Sequence, residues 1–265
     1  MADASNLPFI RTLASNEKKI RTKAIEQLTS FLSTRRAPAA ILTLDDALKL
    51  WKGLFYAVWM CDRPVPQQTL CAELGGLISV VDSAAVGSWL TAFWTVMAQN
   101  WNTEIDVLRM EKFLLLVRRV VAGSLRRLRA DGFSPDARTA VLDTLRVGPL
   151  NPDGDLDRMP VGLRLHVIDL WVDELEREGY LCDDEEVVDK KGNKKQKQKK
   201  EVVREAEKDV VQEITNMVKE LTLTFPSKSV RDRAIESLED ERLAGNMGNE
   251  DKQDDDDASW DGFDE

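Results

Sequence analysis

Through the first 180 residues apolar side chains recur every three or four positions, the spacing that places them on one face of an α-helix. Asn16 is positioned to cap a helix running from Glu17 to about Leu32, with Ile20, Ala24, Ile25, Leu28, Phe31 and Leu32 on one side. Thr43 caps the next, and Asp45 and Asp46 in its first turn suit the positive end of the helix dipole. It ends near Asp62, because Pro64 and Pro66 disfavour helical geometry in the residues before them. Further helices are expected over 67–81 and 83–100. A longer one opens at Thr103 or Asp106 and closes at Asp131-Gly132, a glycine C-cap. Two more cover 136–145 and 163–178.

Alternation of period two and Asn-Gly hairpin signals are missing, so the expected fold is all-α. Short joints between consecutive helices point to antiparallel pairs stacked as a HEAT-like α-solenoid. One internal echo fits such repetition. KIRTKAIEQL, Lys19 to Leu28, parallels SVRDRAIESL, Ser229 to Leu238, with an arginine and an Ala-Ile pair in register.

The stretch LWKGLFYAVWMCDRP, Leu50 to Pro64, is apolar nearly all round its helix: Leu44, Leu48, Trp51, Phe55 and Val58 form one stripe, while Leu50, Leu54 and Tyr56 fall elsewhere. Such a helix is expected at the centre of a stack. Asp45, Asp46, Lys49 and Lys52 interrupt it too often for a membrane span. Gly53 inside it implies close approach of a neighbour.

After Tyr180 the composition changes. CDDEEVVD is acidic, KKGNKKQKQKK is basic, and neither has apolar residues to bury, so 181–200 reads as a charged flexible linker following a helical-repeat domain at 1–180. Val203, Ala206, Val210, Ile214, Met217 and Leu221 restore helical spacing over 202–223, and a short helix follows from Ser229, which gives a C-terminal helical segment at 201–245. Residues 246–265 form an acidic tail that carries Trp260 and Phe263.

The chain has 265 residues and a net charge of −10, so any affinity for nucleic acid has to come from local basic patches. It holds 3 cysteines, without a C-x-x-C pair, and 1 histidine, which excludes a disulfide framework and a multi-histidine metal site within the chain. A signal-peptide pattern is not found, and cytosol or nucleus is expected. Phosphate-loop, nucleophile-elbow and H-E-x-x-H patterns are likewise missing, so we expect no enzyme, no cofactor, no metal and no small-molecule substrate. His166 reads as packing or surface decoration. Asp45-Asp46 reads as a helix start, and 183–186 as a solvated acidic run.

Two basic features are candidates for RNA contact. At about 100° per residue, Arg118, Arg119, Arg126 and Arg129 share one arc of their helix, where planar guanidinium groups suit phosphate. The same arc also fits a solvated face answered by acidic neighbours. Within Lys190 to Lys200, Lys194, Lys195, Lys197, Lys199 and Lys200 suit a nuclear-import signal or a phosphate-seeking tether, against a simple solubilising linker. In the tail, Trp260 and Phe263 favour docking on a partner over mere solubility.

LKLWKGLFYAVWMCDRP, with the preceding LASNEKKIRTKAIEQLTSFL, resembles the N-terminal signature of the eukaryotic ribosomal RNA processing protein 1 family. Trp51, Lys52, Gly53, Leu54, Trp59, Met60, Asp62 and Pro64 stand where that pattern wants them; Cys61 replaces an expected serine and Arg63 a common lysine. The resemblance spans about Phe9 to Ile78 and extends to about Tyr180. It implies a non-enzymatic factor of the nucleus and nucleolus that assembles the large ribosomal subunit. Its expected partners are other assembly factors, ribosomal proteins and precursor ribosomal RNA, with no membrane, and Lys52 is a candidate partner contact beside the structural motif residues. A cytosolic helical-repeat adaptor for peptides or membrane-traffic proteins is the alternative.

Overall fold

A computed structural model describes residues 12–13, 15, 17–35, 41–181, 194–244 and 246. Among them there are helices and no strands. The elements used below are α1 (Lys18–Thr34), α2 (Leu44–Trp59), α3 (Pro64–Gly76), α4 (Val86–Trp101), α5 (Met110–Ala130), α6 (Pro135–Val147), α7 (Val161–Arg177), α8 (Lys194–Thr224) and α9 (Lys228–Leu238).

From α2 to α7 the helices pack largely on the one two places further along, and α8 and α9, neighbours in sequence, pack on each other. Thus α2 packs on α4 and α4 on α6, while α3 packs on α5, α5 on α7 and α7 on α9. Arg138 and Arg146 of α6 join Asp209, Glu213 and Glu220 of α8, and α1 shares a small recess with α3. The result is two layers, α1-α3-α5-α7-α9 and α2-α4-α6-α8, the α-solenoid-like arrangement that the helical spacing predicts. The last two helices complete the stack instead of standing apart from it.

The apolar stripe of α2 is interior, as expected. Leu50, Trp51, Leu54, Phe55, Ala57 and Val58 are buried, and the Trp51 ring lies 4.8 Å from both Trp89 and Phe93 of α4. Tyr56 and Leu44 stay near the surface, so one side of the helix is left uncovered. Thr43 accepts a hydrogen bond from the Asp46 N–H, which confirms that cap. Asn16 lies outside the described residues.

Several boundaries shift for identifiable reasons. Pro64 and Pro66 end α2 but also open α3, since proline has no N–H to lose in a first turn. Helix α5 begins at Met110, not at Thr103 or Asp106, because the Asp106 carboxylate accepts from the Arg109 N–H and holds a turn there. Its far end behaves as expected, with Gly132 at a φ of +65° just past the Asp131 cap. The basic tract assigned to linker through residue 200 is helical from Lys194, which makes α8 the longest described helix at 31 residues. Lys and Gln are good helix formers, and a helix already nucleated by its packed half extends through them at little cost.

The sequence echo has a structural counterpart. Arg21 of α1 and Arg231 of α9 occupy equivalent places in the repeated decapeptide, and each donates to a backbone carbonyl six residues upstream, Ser15 and Phe225 respectively. Both arginines thereby pin the incoming chain to the first turn of its helix.

Candidate partner and nucleic-acid surfaces

The residues of the α2 signature build a corner. Trp51 and Leu54 are core, Gly53 is half-buried and Lys52 is exposed. Trp59 ends the helix, Asp62 follows it and Pro64 starts the next. The carbonyls left unpaired by this helix end are answered by buried Lys112 of α5, whose Nζ donates to the Trp59 oxygen at 2.7 Å, the Cys61 oxygen at 3.2 Å and Asp62 at 3.3 Å. Cys71 lies beneath, its Sγ 3.5 Å from the Lys112 carbonyl, and burial pushes its thiol up to about 12. The arrangement gives Trp59, Asp62 and Pro64 an architectural role.

On α5 the structure does bring the predicted arginines to one side, and that side meets carboxylates. Arg118 pairs with Asp173 at 2.6 Å and with Glu174 at 2.8 Å on α7. Arg126 stands 3.5 Å from Glu178, and Arg129 pairs with Glu207 of α8 at 2.8 Å while covering the Tyr180 ring. Arg119 is half-buried, with its backbone against Gly75 of α3. Of the four, Arg126 keeps the most exposed side chain, 54%, against 29% for Arg118 and 35% for Arg129. Glu174 is fully buried; burial raises its pKa, opposed by Arg177 and Arg118. Arg118, Arg126 and Arg129 thus meet carboxylates of α7, its C-cap and α8, as the acidic-neighbour alternative to the phosphate-gripping arc has it.

The lysine tract runs into α8. Lys200 is exposed, and the side chains of Lys194, Lys195, Lys197 and Lys199 lie outside the described residues, as do Trp260 and Phe263. Val202 is exposed, while Val210, Ile214, Met217, Val218 and Leu221 are buried, so the packed part of α8 is its second half. His166 accounts for itself structurally: its Nε2 lies 2.9 Å from the Leu114 carbonyl, and burial lowers its pKa.

Sequence reasoning passed over two buried cations besides Lys112. Arg127 donates to the carbonyls of Ile78 and Val81 and to Ser83, closing the turn between α3 and α4. Arg164, 1% exposed, donates to the carbonyls of Met159, Pro149, Asn151 and Asp155 and lies over the Phe225 ring at 4.8 Å. A signal was present for Arg164, which falls on the apolar stripe of Leu163, Val167, Ile168 and Trp171. A charge there has to be satisfied internally.

Among the described residues no group of three or more His, Cys, Asp or Glu is placed to hold a metal ion, and no single helix is long and apolar enough to cross a membrane. A cleft of about 540 Å³ opens between α4 and α6, walled by Thr91, Trp94, Thr95, Asp143, Arg158 and Met159.

Fold and corner together define a helical-repeat protein of α-solenoid-like architecture. The chain belongs to the family described as nucleolar protein Nop52, which matches residues 4–264, and it is accordingly a nucleolar protein. Named relatives agree. It is 33% identical over 177 residues to ribosomal RNA processing protein 1 homolog B of Homo sapiens, covering 66% of this chain and 23% of that protein. To the human homolog A it is 34% identical over 175 residues, 65% of this chain and 37% of the relative, and to the Drosophila melanogaster homolog 29% over 177 residues, 66% and 25%. The matched stretch thus spans well under half the length of these relatives. The resemblance read from the α2 signature is confirmed, and the nucleolar family sets aside a cytosolic adaptor.

Proposed function

We propose that the chain is a non-enzymatic scaffold of ribosome biogenesis, holding assembly factors, ribosomal proteins and precursor ribosomal RNA of the large subunit so that processing proceeds. One observation carries this reading: the ion pairs of α5, α6 and α9 with α7 and α8 are spent on fastening a two-layer stack, a framework whose outer faces remain for partners. The names of the relatives supply the process, ribosomal RNA processing. Such a framework acts by geometry. Contacts with several neighbours at once raise their effective concentration, and defects on its loss arise from misassembly instead of a missing chemical step.

RNA contact is assigned to the lysines in the first turns of α8, Lys194, Lys195, Lys197, Lys199 and Lys200, in preference to Arg118, Arg126 and Arg129 of α5, whose partners are carboxylates. Clustered lysines near a helix start act as point charges for phosphate and make binding salt-dependent. Ultraviolet crosslinking of the full chain to RNA in cells tests the assignment. Changing the five lysines to glutamine is expected to remove most crosslinked RNA and flatten its salt dependence, with nuclear location checked in parallel. Crosslinking that survives in a correctly located variant contradicts it.

A further inference from the structure

Val107 and Leu108 are 87% and 93% exposed, and the turn that carries them, between α4 and α5, is fastened on both flanks. Upstream, buried Ile105 anchors the chain, the Glu104 N–H donates to the Asn100 carbonyl at 3.0 Å, and Trp59 Nε1 donates to the Glu104 carbonyl at 3.4 Å. Downstream, the Arg109 N–H donates at 3.0 Å to both the carbonyl and the carboxylate of Asp106, with which its guanidinium also pairs. That guanidinium lies 4.2 Å from the centre of the Trp59 ring. Two branched apolar side chains are thus held out into water by a turn whose conformation is set without them.

Hydrophobic burial gives no reason for such placement within the fold, and an isolated exposed leucine would need none. Here both flanks of the turn are tied to Trp59, next to which α2 carries further exposed apolar surface. Met60, 41% exposed, follows Trp59 at the end of α2, and Tyr56 lies one turn before it. A preorganised apolar tip of this kind loses little entropy on docking, the property of an interface anchor. The charge around it indicates the partner. Asp62, Glu104 and Glu111 face outward, whereas Lys112 is buried against carbonyls and Arg109 is committed to Asp106 and Trp59; among the described residues the exposed cations flank this corner, Arg63 after Asp62 and Lys52 one turn before Tyr56.

We propose that this tip is a docking anchor for a basic protein, with Val107 and Leu108 seated in an apolar pocket of the partner whose rim carries Lys or Arg against Asp62, Glu104 and Glu111. Complementary rim charge speeds encounter and orients docking, while the apolar pair sets the lifetime of the complex. The surface is independent of the lysines at the start of α8.

The test places a photoreactive benzoylphenylalanine at position 108 of the full chain, irradiates cells and maps the crosslinked peptide by mass spectrometry. The mapped protein is then purified and its affinity measured against the unmodified chain, Leu108→Asp, and Glu104→Lys with Glu111→Lys. The expected result is a single protein crosslinked within a Lys- or Arg-rich segment. Leu108→Asp should weaken its binding by about tenfold or more, with an unchanged thermal melt, and the charge reversals should slow association and reduce its dependence on salt. Crosslinks to RNA, to this same chain or scattered over unrelated proteins overturn the proposal, as does a purified partner that binds Leu108→Asp equally well.

Discussion

Gly75 and Gly123 meet backbone to backbone where α3 crosses α5. A Cβ on Gly123 would collide with the Gly75 carbonyl oxygen, and one on Gly75 would stand 2.5 Å from the Arg119 carbonyl oxygen. Because backbone atoms obstruct in both directions, no side-chain rotation relieves the clash. Gly123→Ala is therefore expected to destabilise the fold by about 1–3 kcal/mol or more, despite the better helix propensity of alanine. Urea unfolding followed by circular dichroism checks it, and a stabilised Gly123→Ala would contradict this packing.

Trp51 should be the costliest single truncation in α2. Its ring fills the space between Trp89 and Phe93, so Trp51→Ala is expected to cost about 3–5 kcal/mol. Its buried indole N–H has no hydrogen-bond partner among the described residues, so Trp51→Phe loses volume but no polar contact and should cost clearly less. Equal losses in the two variants would speak against a packing role.

Arg164 ties the chain between α6 and α7 to the corner between α8 and α9. Replacing it by methionine removes the side-chain donor from the carbonyls of Pro149, Asn151 and Met159, and leaves Asp155 only the Met159 N–H, so a loss above about 3 kcal/mol is expected. Arg164→Lys should rescue little, since one ammonium does not reproduce the planar fork. Hydrogen exchange would show faster opening over 148–160.

His166 gives the fold a pH dependence with a defined sign. Burial holds its pKa below the ordinary 6.5. In the window between that value and the lower folded one, the unfolded chain binds more protons. The contribution of His166 to stability is thus present above pH 6.5 and is lost as pH falls through the folded pKa. Because the chain has 1 histidine, its imidazole resonance reports the titration directly, and His166→Gln should flatten this part of the stability profile. A resonance titrating above 6.5 would contradict the burial argument.

Arg129→Glu should loosen α8 and leave RNA contact alone. It sets a carboxylate against Glu207 and removes the cation from the Tyr180 face, so exchange in the first half of α8 should quicken. Part-exposed pairs contribute modestly, so a global loss of only about 1 kcal/mol is expected. Lost RNA crosslinking with unchanged exchange would return Arg129 to the phosphate-gripping role.

The periodicity of α2 made its interior role legible, because an apolar surface on nearly every side of a helix has few other resting places. The Arg21 and Arg231 echo was legible as well, and the structure supplies its reason in the shared reach to a carbonyl six residues back. The fate of the α5 arginines was not legible. A helical wheel groups cations by angle but carries no information about Asp173, Glu174 and Glu207, which arrive from helices distant in sequence. The start of α8 was hidden for a related reason: Lys and Gln carry no apolar stripe, and its helicity rests on the packed half that follows. Val107 and Leu108 were hidden too, because two apolar residues at the mouth of a helix read as part of its stripe until the turn fixed by Asp106 separates them.

The central claim, a nucleolar framework carried within large-subunit precursors, is tested most directly by gradient sedimentation of the tagged full chain from cells. Co-migration with large-subunit precursor RNA, lost when Trp51→Ala unfolds the stack and retained in Trp51→Phe, is the predicted result. Sedimentation of the intact chain wholly in the free fractions, away from precursor particles, would contradict it.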